Sequence, residues 1–385
     1  EDGIRDYKVT GVQTCALPIC MFAYNDSFNQ DIGSWDVSNV TSFINMFYST
    51  SSINMTFNNG GSPSINNWQI NTTSPVDMTY MFGTRFDASN SFNQPIGNWN
   101  MSQVTKVENM FAYNNAFNQD VGSWNVSNIT NFKSTFGRAI SFNNGGTSSI
   151  NNWQIGTQSV IDASYMFSGA SSFNQPIGNW DVGQVTDMQG MLQITSSFDQ
   201  DIGSWDVSNV TNFSNMFYAT TGEVSIFNNG GTSSINNWQI NTTSPVNMYR
   251  MFGSRNDAPN NIFNQPIGNW NVSQVTHMGE MFKYNSQFNQ NISSWNTQNV
   301  GNMVGMFGST DNFNNGEVGN SGANPLTLDT SNVDDMSNMF GNSKSFNQDI
   351  GSWDVSNVTD FSGMFRCNFT GTHSFNNGGD RKSTR

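Results

Sequence analysis

The side chains that could do chemistry in this chain are few in kind and regular in placement. Histidine occurs only at His277 and His373, and cysteine only at Cys15, Cys20 and Cys367. A nucleophilic triad or a zinc site needs more imidazole or thiolate than this. His277 falls at a position that Asp187 and Asp360 fill in other stretches, the placement of a solvated surface residue. Carboxylates pair more often: Asp31 with Asp36, Asp201 with Asp206, Asp349 with Asp354. Paired acids are the machinery of glycoside hydrolysis. A catalytic pair, however, is one departure from a pattern, and here the pairs are the pattern. Pro95, Pro176 and Pro266 replace the first acid elsewhere. Catalytic residues and cofactors are therefore not assigned. Glycine-rich calcium repeats set an Asp after their glycines, whereas Asn-Asn-Gly-Gly here precedes Ser or Thr, so no metal ligands are assigned either.

What remains is one recurring position occupied by Asp, Asn or Gln: Asp36, Gln69, Asn100, Asn125, Gln154, Asp181, Asp206, Gln239, Asn271, Asn296, Asp329 and Asp354. A straight row of amides and carboxylates suits hydrogen bonding to a glycan or an extended peptide. The same polarity would also keep an exposed face wet and unaggregated.

The row exists because the chain repeats. DIGSWDVSNVTSFINMF at 31–47 returns as DIGSWDVSNVTNFSNMF at 201–217 and DIGSWDVSNVTDFSGMF at 349–365. All 11 tryptophans hold the same place in their units, and Leu328 fills the slot where one is missing. A period of 25 residues, stretched to 27–33 in places, means a stack of about twelve units, because one short unit cannot bury its own apolar face. Ser-Ile-Asn-Asn-Trp-Gln-Ile recurs at 64–70, 149–155 and 234–240, so three units form an 85-residue super-repeat. The added residues there should bulge from one side, and the insert at 314–325 should be the most irregular loop. No linker divides 21–379, which reads as one domain.

Within a unit, Ile32, Trp35 and Val37 alternate as in a short strand with one face buried. Ser38, Asn39 and Thr41 are residue types that cap a helix. Val40, Phe43, Met46 and Phe47 then recur at helical spacing. The expectation is an α/β solenoid of one short parallel strand plus one short helix per unit. Three ladders should run along it: the Trp rungs, a Phe spine from Phe28 to Phe375, and a Met-Phe pair per unit. The Asn after each spine Phe (Asp199 once) should satisfy the backbone of the neighbouring coil. Sequons start at Asn39, Asn71, Asn128, Asn209, Asn241 and Asn357, but capping explains Asn39 and Thr41 without glycans.

Ile-x-x-Trp-x-Val-x-x-Val has the spacing of the leucine-rich repeat. The longer string FNQDIGSWDVSNVT followed by Met-Phe resembles the BspA-like leucine-rich repeat surface proteins, in particular the short repeat of mycoplasma lipoproteins. Leucine is nearly absent from the repeats, where Phe, Met and Trp replace it. The resemblance implies an extracellular, cell-surface protein that adheres to or recognises a protein or glycan, and it brings no catalytic residues.

Residues 1–20 and 380–385 share nothing with the repeat and resemble a translated sequencing adapter, so 8–23 is not read as a targeting signal. The ends hold five of the 14 basic and four of the 28 acidic residues. The repeats thus carry 9 Lys and Arg against 24 Asp and Glu, a net charge of −15. That balance excludes the basic footprint nucleic acids require and keeps an extended array soluble. No apolar run is long enough to span a bilayer. With Cys15 and Cys20 in the atypical end, a disulfide framework is excluded. An adhesion or recognition array is the leading expectation, a spacer without its own ligand the second, and a polysaccharide hydrolase the third.

Overall fold

The computed structural model describes residues 18–50, 54–85, 88–155, 160–220, 224–255, 261–319, 323–367 and 375. The expected non-native ends therefore lie outside the described residues except for 18–20, as does His373. The architecture is a stack of repeated coils joined by short parallel strands and 3-10 turns. β1 (Val76–Asp77) pairs with β2 (Val104–Lys106), β3 (Ile161–Asp162) with β4 (Val185–Asp187), and β5 (Val246–Asn247) with β6 (Val275–His277), all parallel. Single-residue bridges link these pairs, so one continuous ladder runs from Ser42 through Asp77, Lys106 and Asn131 to Asp335 and Asp360.

The ladder sits seven residues beyond the place where the alternation around Trp35 and Val37 predicts a strand. Ile32–Val40 instead forms two turns, closed by the Trp35 N–H on the Ile32 carbonyl and the Val40 N–H on the Val37 carbonyl. Ile32 and Val37 still point inward. The alternation read the direction of the side chains and misread the hydrogen bonding.

The predicted helix is likewise absent: no α-helix occurs among the described residues. In 43–48 the amides of Phe43, Asn45 and Phe47 donate to Asp77, Thr79 and Met81 of the next coil, while Met46 and Tyr48 close turns on Phe43 and Asn45. Alternate amides thus serve the neighbour, which an α-helix forbids because it keeps every bond within itself. The pivot is a residue in left-handed conformation at the place of Asn45. Tyr80, Asn109, Ser134, Tyr165, Gly190, Asn215, Arg250, Glu280, Gly305, Asn338 and Gly363 repeat that geometry. Such a pivot costs roughly 1–2 kcal/mol for an ordinary L residue and little for Gly or Asn. Asn39 caps no helix: its counterparts Asn128, Asn209 and Asn357 donate side-chain amides to the Ser102, Gly183 and Ser331 carbonyls of the preceding coil.

The core is aromatic and periodic. Phe47 stacks on Phe57 at 3.8 Å, and Phe82 repeats this with Phe92 and Phe136 with Phe142, each at 3.8 Å. Indoles of adjacent coils lie parallel, as in Trp68–Trp99 at 5.8 Å and Trp180–Trp205 at 6.4 Å. Each inner indole N–H donates to a carbonyl one coil back, Trp68 to Ile32 at 3.1 Å and Trp205 to Ile177 at 2.9 Å. The Trp ladder is closed along its length and open at its end rungs, where Trp35 is exposed and Trp353 half-buried. Trp35 is 38% exposed because the described part of the coil before it, residues 20–24 with Phe22 5.9 Å from the indole, includes no indole turn to cover it, whereas Trp205 is 2% exposed.

The super-repeat insertions fold as 3-10 turns, Asn59–Gly61 and Pro63–Asn67 in the first copy. Buried Asn59 accepts from the Ile32 N–H at 2.8 Å and donates to the Ser62 carbonyl at 2.8 Å, which ties the bulge to the coil before it. Asn144 and Asn229 do the same for Val121 and Ile202, and Asn315 at the start of the longest insert does it for Ile292.

Candidate functional site

All twelve residues of the Asp/Asn/Gln row are exposed. Their own backbone already engages them. Asp36 accepts the Ser38 N–H at 3.0 Å, Asn125 the Ser127 N–H at 3.2 Å, Asp206 the Ser208 N–H at 3.0 Å, and Asp354 the Ser356 N–H at 3.0 Å. Asn100, Asp181, Asn271, Asn296 and Asp329 close the same two-residue turn. Gln69, Gln154 and Gln239, one methylene longer, reach instead to carbonyls two residues back at Asn67, Asn152 and Asn237. Asp and Asn are thereby explained without a ligand, since a short side-chain acceptor starts the turn after the Trp, while Gln binds the local backbone as a donor instead. The Ser38 hydroxyl and N–H hold the Asp36 carboxyl below its usual range.

A second row stands on the ladder itself and was hidden from the sequence by the expected helix. Asp77, Asn131, Asp162, Asp187 and Asn212 each accept an N–H two residues on. Burial raises the pKa of Asp187, with the Asp162 carboxylate beside it adding to the effect, while hydrogen bonds from Gln189 and Asn212 oppose it. His277 occupies this row, exposed, with its Nδ1 3.2 Å from the Thr276 hydroxyl. Asp31 belongs to neither row. It takes hydrogen bonds from the Ser64 hydroxyl, the Gly33 N–H and Asn59, and these pull its pKa down to about 2.

The remaining surface differs chemically. Every lysine, arginine and tyrosine of 21–379 lies within a short window around the Met-Phe pair, and the Phe-to-Val segment carries only acidic charge, Asp throughout and Glu317 in the longest insert. The window follows the ladder, so parallel stacking brings like positions of adjacent coils together. Tyr48 meets Tyr80 edge to face at 5.2 Å. Arg250 lies over the rings of Tyr249 at 4.8 Å and Tyr218 at 5.4 Å, and it pairs with Glu280. Lys283 bonds the other oxygen of Glu280 at 2.8 Å and lies 5.7 Å from the Tyr284 ring. Sequence reasoning passed over these residues because they vary from unit to unit. Sorting each unit position by its variability would have exposed them.

Among the described residues no cluster of His, Cys, Asp and Glu could hold a metal ion, and no helix is long and apolar enough to cross a membrane. Parallel coils, ladders closed by side-chain turns and a segregated variable face define a stacked-repeat protein. The chain belongs to the family described as "Mycoplasma protein of unknown function, DUF285", which matches residues 1–84, 62–156, 144–262, 223–322 and 317–381. No curated protein and no solved structure matches it.

Proposed function

We propose that this protein is a cell-surface recognition or adhesion array, related to the BspA-like leucine-rich repeat proteins, that presents a rigid lateral face to an extracellular protein or glycan. The supporting observation is the division of labour within each coil. Positions from the spine Phe to the Val before the ladder stay nearly constant, and their polar side chains are spent on turns and inter-coil bonds. Positions around the Met-Phe pair vary and collect Tyr, Arg, Lys and Glu. A repeat scaffold that holds its framework constant and diversifies one face has the organisation of a binding surface. The row from Asp36 to Asp354 then serves as framework. Extracellular placement agrees with the resemblance and with stability that rests on stacking.

The alternative is a spacer with no ligand of its own, favoured by the complete use of the Asp/Asn/Gln row in local turns. Surface plasmon resonance of residues 21–379 against immobilised glycans and purified extracellular-surface proteins separates the two. Saturable binding to any of them supports recognition, and none across both panels supports the spacer.

A further inference from the structure

The variable face is not uniform, and its strongest feature occurs twice. In one copy Tyr48, Tyr80 and Tyr113 fall on three successive coils, and Glu108 stands on the last of them. In the other Tyr249 and Tyr284 stand on two successive coils beside Tyr218, which is only 6% exposed under Arg250, with the Arg250–Glu280–Lys283 ion group among them. The copies lie six ladder steps apart, from Asp77 to Asn247. That is about 30 Å at the spacing of neighbouring strands.

The backbone supplies an independent sign. Tyr80, Tyr165, Arg250 and Glu280 occupy the left-handed pivot, where Asn45, Asn109, Asn215 and Asn338 or Gly190, Gly305 and Gly363 stand in other coils. Asn or Gly meets the backbone requirement with less strain. Large side chains retained at strained positions mark residues kept for something other than folding.

We infer that these two patches are the contact sites for a polypeptide partner, gripped at two points about 30 Å apart. The inference rests on the recognition reading and names its partner class. Tyrosine and arginine, set among Ser, Asn and Gly, are the residues that dominate protein-binding surfaces and their energetic centres. A glycan site could do without the Arg–Glu–Lys group. An anionic lipid surface would need a net basic face, which the Glu108 and Glu280 carboxylates reduce. Burial raises the phenol pKa of Tyr80, Tyr218 and Tyr249, so the hydroxyls remain donors at neutral pH.

The test uses residues 21–379 and two probes, a displayed random-peptide library and a glycan array. Two variants copy residues found at the equivalent positions of other coils, so both should fold: Tyr80→Asn with Arg250→Asn, and Asp206→Asn with Asp354→Asn. Peptides selected on the parent chain should bind the first variant about tenfold or more weakly and the second unchanged. Two such peptides joined by a linker that spans the patches should bind more tightly than one. Peptide binding that survives Tyr80→Asn with Arg250→Asn overturns the assignment, as does binding confined to the glycan array, and either leaves the recognition reading intact. Absence of binding to both probes overturns both.

Discussion

At the scale of single residues the structure turns on side chains that substitute for backbone partners. Asn118 accepts the Asn143 N–H at 2.8 Å and the Gly145 N–H at 3.0 Å. Asp199 makes the equivalent pair to Asn228 and Gly230 at 2.7 and 2.9 Å. Asn118→Asp should therefore unfold within about 0.5 kcal/mol of the parent, while Asn118→Leu, which strands two donors, should lose about 2–4 kcal/mol in urea titrations. The carboxylates differ in the sign of their pH dependence. The Asp31 pKa is depressed in the folded state from 3.8 to about 2. Its stabilisation is thus complete above the unfolded value and is lost as pH falls through that window; a carboxyl carbon titration by NMR should place the Asp31 midpoint below those of ordinary aspartates. Asp187 has the opposite sign, because burial raises its pKa and ionising it costs more in the folded state than in the unfolded chain. Asn212, Asn247 and Asn302 hold the same ladder position, so Asp187→Asn should raise Tm at pH 7, and the gain should shrink in acid as Asp187 takes up its proton.

At the scale of the element, the coil is stabilised by what the next coil covers. Trp205→Phe removes the Nε1 donor from a buried carbonyl and thins a stacked rung. A loss of about 2–3 kcal/mol should follow in chemical denaturation, whereas Trp35→Phe, at an exposed rung, should change stability by less than about 0.5 kcal/mol. Gly203 shows how closely the insertions press on the coil before them. A Cβ there would lie 2.1 Å from the Ser234 hydroxyl and 2.5 Å from its backbone carbon. The turn Gly-Ser-Trp after Ile202 owes its glycine to that approach, which no reading of one unit alone could reveal.

At the scale of the molecule, stability is a sum of nearest-neighbour interfaces, since each coil bonds chiefly to the coils before and after it. Excision of residues 144–228, one 85-residue super-repeat, joins Asn143 to Asn229 in place of Asn144, and the matched register should allow the shortened stack to fold. Circular dichroism and tryptophan fluorescence should match the parent per residue, with a lower unfolding midpoint. The excision also removes Tyr218 and halves the distance between the two patches, so peptides linked for the parent spacing should lose their gain while single peptides selected on the Tyr48–Tyr80–Tyr113 patch bind as before.

The sequence by itself determined everything that periodicity carries: the stack, the aromatic ladders, the Asn row and the inward sides of Ile32 and Val37. These follow from which residues must leave water, and apolar spacing records that directly. It did not determine where the strand lies, because Val40, Phe43, Met46 and Phe47 face inward whether the chain coils as a helix or kinks through turns. Only the tertiary structure chose between them, since the deciding bonds run from Phe43 to Asp77 and from Phe47 to Met81, between residues more than thirty positions apart. The same choice moved the candidate site. Asp36 and its counterparts proved to be bound to their own turns, and Tyr80 and Arg250 came together with their neighbours only when coils were laid in register.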